Sequence, residues 1–140
     1  MPRSVLAWGL AIGGLLVLLD PAPFTSFAEE QSIHGEVVDP GMYLRDGSRG
    51  PDVVDRTYEA VDGGQTLAVL EDGTNTLYLL LAEQPGEDPN ELVYDYVNQR
   101  LTVTGTVYER AGLKGIVIQA VQPIAAADTT AIEPQAASTP

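Results

Sequence analysis

The chain contains few side chains that could carry out chemistry. His34 is its only histidine and it has no cysteine, so thiolate and imidazole donors for a soft metal are scarce. A serine or threonine nucleophile needs a positioned base, and no nucleophile-elbow motif surrounds His34. Carboxylate pairs such as Glu36 and Asp39 are expected by chance among 20 acidic residues. The sequence therefore predicts a protein that is not an enzyme and holds no cofactor.

A second group of polar side chains, Glu87, Asp88, Glu91 and Asp95, could gather calcium through its carboxylates. These residues lack the ligand spacing and the central glycine of an EF-hand loop. The run from Asp88 to Glu91 is instead typical of a helix start, with Pro89 in the first turn. We therefore expect helix capping and a solvated helix face rather than a metal site.

The segment 41–64 concentrates basic and aromatic side chains, and it is where we expect contact with a partner. It holds three arginines and two tyrosines: Tyr43, Arg45, Arg49, Arg56 and Tyr58. Arginine and tyrosine are enriched at protein interfaces. The alternative is an internal role, in which the arginines pair with nearby carboxylates and the tyrosines pack the segment onto the fold.

The elements that must position these residues are mostly strands. Apolar and β-branched runs bounded by turn residues predict strands over 33–39, 65–71, 76–82, 101–108 and 116–122. Gly105, inside the alternating fourth run, predicts a bulge or a sharp bend. Short helices are predicted over about 51–61 and about 88–98. This order predicts an all-β, five-stranded Greek-key barrel like the OB-fold, with a partly helical insert, 41–64, between strands 1 and 2.

Several short motifs are spread over 35–117. They are Gly35-Glu36-Val37-Val38-Asp39, Tyr43, Gly47-Ser48-Arg49-Gly50, Gly63-Gly64, Leu77-Tyr78-Leu79 and Leu113-Lys114-Gly115-Ile116-Val117. Together they resemble a family of small exported bacterial OB-like domains. In that family Cys-Tyr follows the first strand and the insert carries a His-x-x-Cys-x-x-x-Cys run, which implies a metal or haem-related site.

This chain departs from the family at each of those ligand positions. Met42 stands where the family has the cysteine of Cys-Tyr, Val53 where it has the histidine, and Arg56 and Ala60 where it has the later cysteines. Valine, arginine and alanine offer no donor to a soft metal. The resemblance thus implies a degenerate member that keeps the barrel and has lost its ligands. The alternative is a metal- or cofactor-handling accessory protein like the cysteine-bearing relatives.

Both ends of the chain are predicted to lie outside the barrel domain, 33–124. Residues 1–28 have the pattern of a signal peptide, with Arg3, an apolar run over 5–19, and Ser26-Phe27-Ala28 at the cleavage point. The apolar run is short for a membrane span, so export to the periplasm or the cell exterior is favoured over tethering by an uncleaved leader. Residues 125–140 lack an apolar pattern and are predicted to form a disordered tail.

The net charge of −13 restricts the possible partners. Phosphates and anionic lipids both attract basic faces, so we expect neither nucleic acid nor direct binding to an anionic membrane. An acidic surface suits solubility outside the cytoplasm, and also basic partners. The sequence as a whole predicts an exported, non-catalytic binding or structural module that contacts another exported or membrane-associated protein through 41–64.

Overall fold

Five strands form a closed barrel in the computed structural model, which describes residues 28–125. The strands are β1 (Ala28–Val38), β2 (Ala68–Glu71), β3 (Leu77–Leu80), β4 (Arg100–Arg110) and β5 (Leu113–Pro123). Their order around the barrel is β1-β2-β3-β5-β4, and all neighbours are antiparallel except β3 and β5. The helices α1 (Pro40–Asp46) and α2 (Val54–Asp62) lie between β1 and β2. The predicted all-β, OB-like barrel with a helical insert is confirmed.

The first strand starts earlier than the sequence pattern predicted. It begins at Ala28 rather than Ile33. The added residues are mostly polar and show no alternation of apolar side chains, but they pair with β4 in one continuous ladder, from Ala28 opposite Tyr108 to Glu36 opposite Arg100. The predicted signal peptide before Ala28 and the predicted tail after Ala125 lie outside the described residues. Over 28–125, no helix is long and apolar enough to cross a membrane.

The core fills the barrel with residues that alternate along the strands. On β4, Leu101, Val103 and Val107 point inward, and Gly105 shares their face. The pairing of β4 with β5 shifts register between Thr104 and Gly105, which confirms the predicted bulge. The other core residues are Ile33, Val37, Val61, Leu67, Val69, Tyr78, Leu80, Val93, Val97 and Ile116.

The segment before β4 is not the α-helix that its sequence predicted. Residues 88–99 form turns with a single 3-10 turn, Tyr94–Tyr96. The buried Asn90 explains the difference, because its Oδ1 accepts the N–H of Leu67 at 2.9 Å and its Nδ2 donates to the carbonyl of Gln65 at 3.1 Å. These long-range bonds hold the chain in turns, and Val93 on this segment is fully buried in the core.

The insert has two halves with different roles. In the first half, Asp39 caps α1 by accepting the N–H of Gly41 at 2.7 Å, and α1 ends at Gly47 with a left-handed φ of 74°. In the second half, a 3-10 turn starting at Pro51 leads into α2, as the sequence predicted. Thr57 of α2 is fully buried, so α2 packs on the barrel.

Candidate functional site

The three arginines of the insert lie on the protein surface. Arg45, Arg49 and Arg56 are exposed, and none of them takes part in the ion pairs within 4.0 Å found over residues 28–125. Asp46 lies near two of them: hydrogen bonds from the hydroxyl and N–H of Ser48 lower the pKa of this carboxyl, and the charges of Arg56 and Arg45 lower it further. The arginines are therefore exposed parts of a mixed-charge surface.

The two tyrosines of the insert are used for packing. Tyr43 is half-buried against a small cluster that contains Val38 and Leu70. Tyr58 is half-buried against the main core, and its hydroxyl donates to the carbonyl oxygen of Tyr94 at 3.1 Å. The rings of Tyr58 and Tyr94 meet edge to face with centroids 5.2 Å apart. These contacts attach the insert to the barrel.

The four positions at which the resemblance would place ligands differ in their exposure. Met42 is buried, Arg56 is exposed, and Val53 and Ala60 are half-buried. His34 lies on the outer face of β1, where its Nδ1 is 2.9 Å from Oγ1 of Thr102. In the part of the chain that the structure describes, no three His, Asp or Glu side chains come together as a metal-binding group.

A surface that the sequence analysis did not identify is formed by exposed apolar side chains of three elements. Leu44 of α1 and Leu113 of the β4–β5 hairpin are 74% and 71% exposed. A hollow of about 300 Å³ is lined by both of these leucines, and a second hollow of about 280 Å³ adjoins it and shares Leu79, Leu113 and Lys114. We call this surface the apolar groove; its apolar residues are Leu44, Leu77, Leu79, Leu81, Tyr108 and Leu113.

The groove forms because the side chains of β3 alternate between the inside and the outside of the barrel. On β3, Tyr78 and Leu80 fill the barrel, so Leu77 and Leu79 point to the outside. The insert lies at one side of this face and the β4–β5 hairpin at the other, which is where OB-folds bind their ligands. A sequence signal was present, because 77–81 is apolar at every position rather than at alternate ones, as in strands covered on both faces.

A third hollow, of about 300 Å³, lies on the other side of Leu81 from the apolar groove and is more acidic than the groove. We call it the acidic cleft. Its apolar residues are Leu81, Leu92, Val117 and Ile118, and its carboxylates are Glu83, Glu87, Asp88 and Glu91. No basic side chain lines it. Leu81 borders both surfaces, so the groove and the cleft adjoin.

The side chains of the groove are mostly apolar. The groove offers leucine side chains and one tyrosine, with Lys114 at its rim held 3.8 Å from Glu109 and 5.6 Å from the centre of the Tyr78 ring. Covering such a surface with a binding partner is favourable because it removes apolar groups from water. Comparisons of the chain with models of known families, with curated proteins and with solved structures give no match. The resemblance to the exported OB-like family therefore stays a prediction.

Proposed function

We propose that this protein is an exported, non-catalytic binding module that holds another exported or membrane-associated protein in its apolar groove. The observation that carries the proposal is the continuity of exposed apolar side chains from Leu44 through Leu79 to Leu113. Contiguous apolar surface of this kind marks interaction sites, whereas isolated exposed leucines do not.

The insert takes part in this contact through its first half. Leu44 lies at one end of the groove on α1, and Arg110 of β4 lines the groove near Leu113. An apolar centre with arginine at its edge is the composition of protein interfaces. The second half of the insert supports the contact indirectly, because α2 and Tyr58 attach the segment to the barrel.

The groove leucines supply enough free energy to matter for binding. Fully burying a leucine contributes about 1.5–3 kcal/mol, so covering the exposed fractions of Leu44 and Leu113 contributes about 1–2 kcal/mol each. Together these two side chains would strengthen binding roughly 30-fold to 700-fold, at about 1.4 kcal/mol per tenfold change in affinity. Their loss should therefore be visible in a capture experiment.

The test is capture of the partner from the native envelope fraction by the purified chain. The double variant Leu44→Ser and Leu113→Ser should lose the partner and keep its unfolding temperature, since both side chains are mostly exposed. The double variant Arg49→Ala and Arg56→Ala tests the contribution of the insert arginines in the same assay. Undiminished capture by the leucine variant would remove the groove from the proposal.

Metal analysis distinguishes this function from the metal- or cofactor-handling alternative. The protein is purified from its native compartment without chelators, and its copper, zinc and haem contents are measured. We expect less than stoichiometric amounts, because the family's ligand positions carry Met42, Val53, Arg56 and Ala60. A stoichiometric metal or haem would overturn the proposal of a plain binding module.

A further inference from the structure

The barrel leaves one strand edge free beside the acidic cleft. Strand β5 runs parallel to β3 only at Gly115 and Ile116, opposite Leu79 and Leu80. Beyond Ile116 it pairs with β4 on one side, and no other described strand pairs with its opposite side. Residues 117–123 therefore present backbone groups that an added strand can use.

A second free edge, on β1, differs from the β5 edge in its charge. Residues 28–33 pair with β4 alone, since the pairing of β1 with β2 starts at Gly35. Glu29 and Glu30 place negative charge along that edge, which is a common protection against strand addition. The β5 edge carries no charged side chain over 117–122; its irregularities are a bulge at Gln119, where the register with β4 shifts, and the terminal Pro123. Of the two edges, only that of β5 lacks charged side chains.

The acidic cleft lies at the start of this free edge. Val117 and Ile118 belong both to β5 and to the lining of the cleft. Because Val117 and Ile118 point to opposite faces of β5, an extended chain added to this strand would place the side chains of one face beside Val117 and those of the other face beside Ile118. It would also lie within reach of the four carboxylates of the cleft.

We propose that the β5 edge receives an extended segment of the partner as an additional strand, with apolar side chains in the acidic cleft and lysine or arginine side chains on its carboxylates. This inference rests on the proposed binding function and names the chemistry of the partner: a peptide that alternates apolar and basic residues. In strand addition the main-chain hydrogen bonds supply affinity and the side-chain pockets supply specificity.

Charge complementarity favours this occupant over two others. A second copy of the chain carries the same net charge of −13 and is repelled. The chain's own residues 126–140 contain Asp128 and Glu133 and no basic residue, so they do not complement the carboxylates of the cleft. A segment of another protein that carries both apolar and basic side chains complements both the apolar residues and the carboxylates of the cleft.

The test uses a fluorescently labelled octapeptide of alternating valine and lysine, titrated with the full chain and followed by anisotropy. Two control peptides carry the same charge: in one, glycine replaces valine, and in the other, two central valines are replaced by proline, which cannot donate a ladder hydrogen bond. The valine–lysine peptide should bind at least tenfold more tightly than either control. Equal binding of all three peptides would show charge attraction alone and overturn the proposal.

Backbone hydrogen exchange identifies the edge that is used. Saturating valine–lysine peptide should slow exchange over 117–122 and leave 28–33 unchanged. Slowing at 28–33 alone would overturn the assignment to β5. Slow exchange at 117–122 in the free chain, together with concentration-dependent dimers in sedimentation, would make a second copy the occupant and also overturn it.

Matched variants test the acidic cleft. Glu83→Gln with Glu91→Gln should weaken the valine–lysine peptide by about threefold to tenfold, the usual range for two rim charges. The control, Asp52→Asn with Glu59→Gln, removes the same charge from exposed positions that line neither the cleft nor the β1 edge. Equal weakening by the two pairs would exclude a specific role of the cleft.

A second comparison tests the edge itself and separates this inference from the proposed function. Gln119→Lys adds a charge to the β5 edge and should reduce peptide binding, whereas Gln31→Lys makes the same change on the β1 edge and should not. The groove variant of Leu44 and Leu113 should still bind the peptide. If no variant or wild-type chain binds the peptide while the groove variant still loses its partner, the strand-addition inference fails and the proposed function stands.

Discussion

Replacing Gly105 with alanine should disrupt the barrel at its bulge. A methyl group built on Gly105 would stand 2.1 Å from the carbonyl oxygen of Val117 and 3.0 Å from the Cα of Ile118. Ordinary contacts between such atoms are about 3.5 Å, so β4 and β5 would have to separate by roughly 1.4 Å. The obstacle is backbone rather than a flexible side chain, and the strands cannot relieve it by a rotamer change.

The expected cost is large for a domain of this size. Overpacking a well-packed site costs about 1–3 kcal/mol, and a clash with backbone belongs at the upper end of that range. A domain of about a hundred residues has a free energy of unfolding of roughly 5–15 kcal/mol, and this chain has no cysteine with which to form a disulfide. A loss of about 3 kcal/mol corresponds to a fall in Tm of roughly 12–24 °C.

Urea and thermal unfolding followed by circular dichroism would measure this loss. Gly73→Ala is the matched control, because the same methyl group meets nothing within 4 Å there and only the left-handed φ of 81° opposes it. That conformational cost is about 1 kcal/mol. Gly35→Ala should behave like Gly105→Ala, since its methyl group would lie 2.3 Å from the carbonyl oxygen of Leu70. A Gly105→Ala variant no less stable than Gly73→Ala would refute the reasoning.

Two further predictions concern the contacts that hold the insert and the turns before β4. Asn90→Ala leaves the buried N–H of Leu67 without an acceptor and should lower the free energy of unfolding by about 1–3 kcal/mol in urea titrations; a neutral result would contradict the role of this side chain. The hydroxyl of Tyr94 donates to Asp62 at 2.8 Å, and this bond raises the pKa of Tyr94. Its contribution to stability is present below the ordinary tyrosine pKa of about 10 and is lost as the pH rises through the raised value. Tyr94→Phe should therefore flatten the alkaline decline of stability, and an unchanged decline would show that the bond contributes nothing.

Local patterns predicted much of the fold. The alternation along 101–108 located β4, Gly105 located the bulge, and Pro51 located the helical turn that leads into α2. In each of these cases the signal and the structure involve the same residues. The OB-like order of strands followed from these local assignments.

The errors arise where distant residues decide the structure. The segment 88–98 has helix-like spacing, but the bonds of Asn90 to Leu67 and Gln65 keep it in turns. Residues 28–32 lack a strand pattern and become a strand by pairing with β4. The apolar groove is distributed over α1, β3 and the β4–β5 hairpin, so no single window of sequence contains it. Among the residues predicted for the site, the tyrosines pack inward and the arginines remain on the surface.

The pairing of β1 with β4 has a consequence for how the chain is made. Ser32 hydrogen-bonds with Thr104, which lies 72 residues later. At about 5–20 residues per second, the ribosome adds that length in roughly 4–14 s. During this interval the first strand has its apolar residues, Ile33 and Val37 among them, but no β4 to pair with. Glu29 and Glu30 precede them, so the unpaired strand carries like charges that disfavour its association with other copies until β4 can pair with it.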